Sequence, residues 1–123
     1  MTKSPEQHTV DILNELGASP SYRGYNLIKT AVQIALNNTE AVHGITKEIY
    51  PVLSRKHKQT ISAVQRNMNY ICRVCYKYKH GDERTRNRVF GYRIRPLSNR
   101  MLVAVLAQVV EERMGNDENY KNR

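Results

Sequence analysis

Residues 56–75 read KHKQTISAVQRNMNYICRVC, a run in which apolar and polar side chains recur at different helical phases. At 3.6 residues per turn, Ile61, Val64, Met68, Ile71, Cys72 and Cys75 fall on one side. Ser62, Gln65, Arg66, Asn69 and Arg73 recur at three- and four-residue steps on the other. The spacing predicts an amphipathic helix. Its polar side lacks the Glu and Lys usual on a solvated helix and carries Gln, Arg and Asn instead, whose donors and acceptors match base edges in a DNA groove. The competing reading is an ordinary solvated face, since any surface helix carries a polar side.

Composition and charge bear on that choice. The chain has 123 residues, enough for one domain with a core of its own. At 40% apolar and 25% charged it has globular character, and with no Trp its core is expected to consist of aliphatic residues and tyrosines. No apolar run approaches the roughly 20 residues of a membrane helix, and the polar start MTKSPEQH is not that of a signal peptide. A cytoplasmic, nucleoid-associated protein is expected. The net charge of +9 is unevenly placed. Residues 51–100 hold 13 basic and 2 acidic side chains, net +11, whereas residues 1–50 hold 4 and 5 and residues 101–123 hold 3 and 4, each net −1. So concentrated a charge attracts a polyanion and releases its counterions, which is the electrostatic footprint of nucleic-acid binding. An anionic lipid surface is the rival partner, but the exposed Trp, Phe or Leu face that accompanies such binding is absent. No membrane partner is expected.

Along the chain, residues 1–8 are expected to form a flexible start. A first helix follows over 9–16, with Val10, Ile12, Leu13 and Leu16 inward and Gly17 as its stop. The segment GASPSYRG, residues 17–24, reads as a turn into a longer helix over 22–37 that ends at the Asn37-Asn38 pair. A short helix over 40–44 leads into ITKEIY, and Pro51 suits the first turn of the next helix because its missing donor has no partner there.

That helix, PVLSRKHK, and the one after it form a unit over residues 51–76. In a helix-turn-helix a small residue of the first helix sits where the second crosses closely, and a branched apolar residue about ten positions later anchors the second. Ser54 and Val64 have that spacing. Thr60 or Ser62 is placed to cap the second helix, and Ser62 with Gln65 fits a capping box. Lys58 occupies the turn where Gly or Asn would suit a left-handed backbone better.

Five stretches then resemble, in order, the C-terminal effector domain of the stage zero sporulation protein A family. They are LG with YRGYNLIKTAV, ITKEIYPVLSRK, TISAVQR, VFGY and RPLSNRMLVAVLAQ, spread over residues 9–112. The resemblance implies an all-α single domain of about six helices over 9–115 that contains a helix-turn-helix, binds double-stranded DNA in the major groove and regulates transcription. By the same resemblance, Gln65 stands where the family has an acidic residue facing bases, and Arg66 matches a family arginine. Ala63 and Asn69 stand where the family usually has arginines. An Arg bidentate to guanine carries roughly 1–3 kcal/mol of discrimination, so an altered preferred sequence is expected, with Asn69 and Gln65 suited to adenine. Arg66, Gln65 and Asn69 are therefore the expected base-reading residues. Lys56, Lys58, Thr60, Ser62 and Arg73 are expected nearer the backbone. Family members usually begin with a phosphoacceptor receiver domain. Only eight residues precede the first expected helix, so the sequence reads as an isolated effector domain or a stand-alone relative, with no phosphorylation switch of its own.

The stretch KYKHGDERTRNRVFGYRIRP, residues 77–96, has seven Lys or Arg against two acids, net +5, and reads as a loop whose Arg84, Arg86 and Arg88 contact phosphates. Cys72 and Cys75 form a CxxC without the second ligand pair that structural zinc needs, so burial in the core is expected and no metal or cofactor is. The last helix, over 98–114 with Ser98 as cap and Gly115 as stop, is apolar more widely than one stripe requires, and part of it is a candidate homodimer surface. Residues 116–123 read as a polar tail. An enzyme fares poorly: there is no Gly-rich phosphate loop, nucleophile elbow or HExxH, and Asp11 and Glu15 one helical turn apart read as a solvated face. No small-molecule substrate is expected. The other alternative is an adaptor that keeps the fold and binds a protein.

Overall fold

The computed structural model describes residues 3–121, and every regular element among them is helical. Helix α1 spans Pro5–Glu15, α2 Arg23–Asn37, α3 Tyr50–His57, α4 Ile61–Lys77, α5 Glu83–Phe90 and α6 Asn99–Lys121. Between α2 and α3 lie a 3-10 turn, Thr39–Val42, and a single π-helical turn, Ile45–Ile49. The all-α architecture with six helices agrees with the expectation from sequence.

Helix α2 is central and packs against both α4 and α6. Its Tyr25, Leu27, Ile28, Ala31, Val32 and Ala35 join Ile12, Leu13 and Leu16 of α1, Val64, Met68, Ile71 and Cys75 of α4 and Leu102, Val103, Leu106 and Val110 of α6 in one core. The α2–α4 crossing is unusually close at Gly24. A Cβ there would collide with the carbonyl oxygen of Asn67 and lie 2.6 Å from Ile71 Cγ1.

Three elements differ from the sequence expectation. Helix α1 begins at Pro5, so residues 5–8 of the expected flexible start are helical. Ser4 accepts from Gln7 N at 3.1 Å while Gln7 Oε1 accepts from Ser4 N at 2.9 Å, a reciprocal cap that fixes the earlier start. The basic stretch holds α5: Asp82 caps it by accepting from Thr85 N at 2.9 Å, and Thr85, Val89 and Phe90 turn inward. Helix α6 runs through Gly115 instead of stopping there, so residues 116–121 of the expected tail are helical. A glycine inside a helix costs only about 1 kcal/mol, and beyond it Asp117 accepts from the buried ring of His8 at 2.7 Å, which ties the extension to α1. Residues 1–2 of the expected flexible start and 122–123 of the expected tail lie outside the described residues.

Asp11 and Glu15 of α1 are not a free surface pair. Asp11 accepts from Lys3 at 2.6 Å. Glu15 takes both terminal nitrogens of Arg113, at 2.8 and 3.1 Å, and the Thr85 hydroxyl at 2.9 Å, which joins α1, α5 and α6. Cys72 and Cys75 lie in the core, 2% and 0% exposed, as expected, and burial pushes both thiols up to about 12.

Two predictions follow from this packing. Gly24→Ala forces α2 and α4 apart and should destabilise the fold by about 1–3 kcal/mol, as an overpacked core site does, measured by urea denaturation. Because the thiolate is the reactive species, a thiol pKa of about 12 leaves on the order of one thiolate in ten thousand at pH 8. Intact-mass measurement should therefore find no iodoacetamide adducts on the folded chain and two after denaturation; labelling at the rate of a free thiol would contradict the burial.

Candidate nucleic-acid interface

Helices α3 and α4 meet at a three-residue turn, and side chains of the turn itself build its geometry. Lys58 closes α3 in the left-handed conformation, φ 54° and ψ 49°, and its N–H bonds to Ser54 O. The Ser54 hydroxyl donates to Gln59 O at 2.5 Å, and Gln59 N donates to Ser54 O at 3.1 Å. Ser54 is thus held across the turn while Val64, fully buried, anchors α4, in keeping with their spacing. Thr60 caps α4 by accepting from Ala63 N at 3.1 Å. Ser62, the alternative cap, lies inside the first turn of α4, so its proposed box with Gln65 does not form. Farther along, Gln59 Oε1 accepts from Asn67 at 2.9 Å, which locks the turn to the α2 side of α4. At the end of α3, the His57 ring meets the Thr30 hydroxyl at 2.9 Å; burial, and then the Lys56 charge, hold its pKa below the ordinary histidine value.

The other long side of α4 is open. Ser62, Gln65, Arg66, Asn69 and Arg73 are all exposed. Their side chains make no hydrogen bond or ion pair among the described residues. Helical phase puts Ser62, Arg66 and Arg73 at the centre of this face, with Gln65 and Asn69 along one edge and Tyr70 along the other. Lys56, Lys58 and Thr60 are exposed at its N-terminal end.

Ile61 and Tyr70 also reach this surface, 42% and 44% exposed. Sequence periodicity placed Ile61 with the core. It is, however, the first residue of α4, directly after the turn.

The expected phosphate-contacting arginines divide. Arg84 is exposed. Arg86 instead donates to Cys75 O at 2.9 Å and Tyr76 O at 3.1 Å, satisfying carbonyls at the end of α4, with its guanidinium 5.5 Å from the Phe90 ring centre. Arg88 is paired with Glu112, its Nε 3.1 Å from Oε2. The Arg86 contact lies within the fold, ten residues beyond Gln65, about 15 Å along the axis at 1.5 Å per residue, whereas the Arg88–Glu112 pair is at the surface. The basic segment's charge is thus partly committed to α4 and α6.

Asn99, which sequence reasoning did not single out, fixes the Gln65 edge. It is 6% exposed and donates to Tyr50 OH at 3.1 Å and Gln65 O at 3.2 Å, while accepting from Cys72 Sγ at 3.4 Å. One side chain therefore bonds α3, α4 and the start of α6. No local spacing signals such a residue, because its partners lie 27 to 49 positions away. Beside it opens a groove of about 670 Å³ whose walls include Lys47, Gln65, Asn69 and Arg100.

Helices α3 and α4, joined by a capped three-residue turn with the polar side of α4 left open, have the arrangement of a helix-turn-helix. The family model described as sporulation initiation factor Spo0A C terminal matches residues 9–112, nearly the whole chain, and the chain belongs to that family. The family is the DNA-binding domain of a sporulation transcription factor. None of the described helices is long and apolar enough to cross a membrane.

The left-handed Lys58 provides a local test. Glycine adopts that conformation without a Cβ clash, a relief of roughly 1–2 kcal/mol partly offset by its greater freedom in the unfolded chain. Lys58→Gly should raise stability by up to about 1 kcal/mol in urea denaturation; lower stability would contradict the turn geometry.

Proposed function

We propose that this chain binds double-stranded DNA sequence-specifically as a transcriptional regulator related to sporulation initiation factors, with α4 lying in the major groove. The observation that carries the reading is the open face of α4: five polar side chains with base-reading or phosphate-binding chemistry project from a rigidly held helix. The protein's excess positive charge lies in the same half of the sequence. Groove-edge recognition uses those residue types and that presentation.

Arg66, at the centre of the face, is assigned to guanine through its paired donors. Gln65 and Asn69 are assigned to adenine, whose N6 and N7 offer one donor and one acceptor to a side-chain amide. Lys56, Lys58 and Thr60 at the N-terminal end, with Ser62 and Arg73 along the middle of the face, suit phosphate contact, which positions the domain without reading sequence. Arg84 and Arg88 of the α5 group keep this assignment, since both are exposed and a surface ion pair such as Arg88–Glu112 is weak, whereas Arg86 is engaged with α4 carbonyls. With Ala63 and Asn69 in place of family arginines, the preferred site differs from the family's usual one.

Pairing of two copies on adjacent half-sites is part of the proposal. Most of the broad apolar surface of α6 is absorbed by the core, but Met101, Ala104 and Val105 remain half-buried and border a shallow groove with Ala35 and Val42, the surface for a second copy.

The decisive variant is Arg66→Ala. It should cost roughly 1–3 kcal/mol on the preferred duplex and relax base choice at one position, with a much smaller loss on random DNA, measured by fluorescence anisotropy at fixed salt. Equal losses on both duplexes would reassign Arg66 to phosphate contact. Affinity for duplex that does not fall as salt rises would favour the adaptor reading.

A further inference from the structure

The groove beside Asn99 lies on the edge of α4 that carries Gln65 and Asn69. Its walls come from three separated parts of the chain: the π-helical turn supplies Thr46 and Lys47, α4 supplies Gln65 and Asn69, and the segment entering α6 supplies Ser98 and Arg100. Lys47, Ser98 and Arg100 are all exposed. No acidic side chain is among the described residues that line it; Glu48, next to Lys47, is not part of the wall. The floor is fixed, because buried Asn99 bonds to Tyr50 OH and Gln65 O.

An α-helix in the major groove has a sugar–phosphate backbone along each of its flanks. Lys56, Lys58 and Thr60 account for the N-terminal end of α4, but nothing assigned so far serves the Gln65–Asn69 edge. We propose that the Lys47–Arg100 groove is a second seat for the DNA backbone, holding phosphate against the edge from which Gln65 and Asn69 read bases. This inference rests on the DNA-binding reading and extends it to two residues 53 positions apart, Lys47 and Arg100. The physical logic is registration. Short amide side chains at the edge of a face reach base edges only if the adjoining strand is held close, and a cation on each side of a rigid groove holds it. Arg93 and Arg95 extend the positive edge along the exposed strap between α5 and α6, and Tyr76 OH, donating to Arg93 O at 3.2 Å, holds that strap to the far end of α4.

The test compares the wild-type chain with Lys47→Gln/Arg100→Gln and with a charge-matched control, Lys3→Gln/Lys121→Gln. Lys121 is at the opposite end of α6, about 30 Å along the helix from Arg100 at 1.5 Å per residue. Affinities are measured by anisotropy on the preferred duplex and on a random duplex across a salt series, with circular dichroism to confirm equal folding. The Lys47/Arg100 variant should bind both duplexes more weakly by a similar factor, on the order of tenfold at about 0.1 M salt, and the slope of log K against log salt should fall by about 1 to 2. The control should stay within about twofold of wild type, with its slope changed by less than about half a unit. A Lys47/Arg100 variant that matches the control overturns the seat and leaves the DNA reading standing. Loss confined to the preferred duplex overturns the backbone role in favour of base contact. A wild-type chain that binds neither duplex at low salt overturns the DNA reading and the seat with it.

Discussion

The close crossing of α2 and α4 at Gly24 is the constraint on which the rest of the arrangement depends. The absent side chain lets the Asn67 backbone and Ile71 settle against α2, and that contact fixes the rotation of α4 about its own axis. With Val64, Met68, Ile71 and Cys75 committed to the core, Ser62, Arg66 and Arg73 are left no direction but outward. A rotation of one residue, about 100°, would bury an arginine and expose a core side chain, at the high cost of desolvating an unpaired charge. The face offered to a partner is therefore a consequence of core packing.

Two polar devices then hold the ends of that helix in register. The Ser54–Lys58–Gln59–Thr60 turn fixes its start, with Gln59 reaching forward to Asn67. Arg86 satisfies carbonyls near its end. Between them Asn99 bonds α3, α4 and the head of α6 at once, so the Gln65 edge cannot shift without breaking buried hydrogen bonds. Preorganisation of this kind is what lets a few side chains discriminate, because little ordering cost remains at the moment of binding.

The parts of this arrangement legible in the sequence are those encoded by local period and spacing. The two sides of α4, the Ser54–Val64 pair, Pro51 in the first turn of α3 and the burial of both cysteines all follow from residues within a few turns of one another. Helix α5 was obscured by its arginines, although Asp82 three positions before Thr85 is a cap signal, and the Ser4–Gln7 box at the head of α1 is another. The destinations of Arg86 and Arg88 were not legible, because an unsatisfied helix-end carbonyl or a glutamate 24 positions away becomes a neighbour only after folding. Gly115 misled for a related reason. A stop signal is a local preference of about 1 kcal/mol, and the contact between His8 and Asp117 is tertiary. Asn99 and the Lys47–Arg100 groove belong to the same class, assembled from segments that no short window joins.

The most direct test of the central claim, that α4 is a base-reading helix, is selection of duplexes from a random pool by the purified chain, followed by affinity measurement across salt. The account predicts enrichment of a defined element, related to the family's site but altered at one or two base pairs, bound with an affinity that falls steeply as salt rises. A pool that emerges unenriched, from a chain that binds all duplexes alike or none, would contradict it.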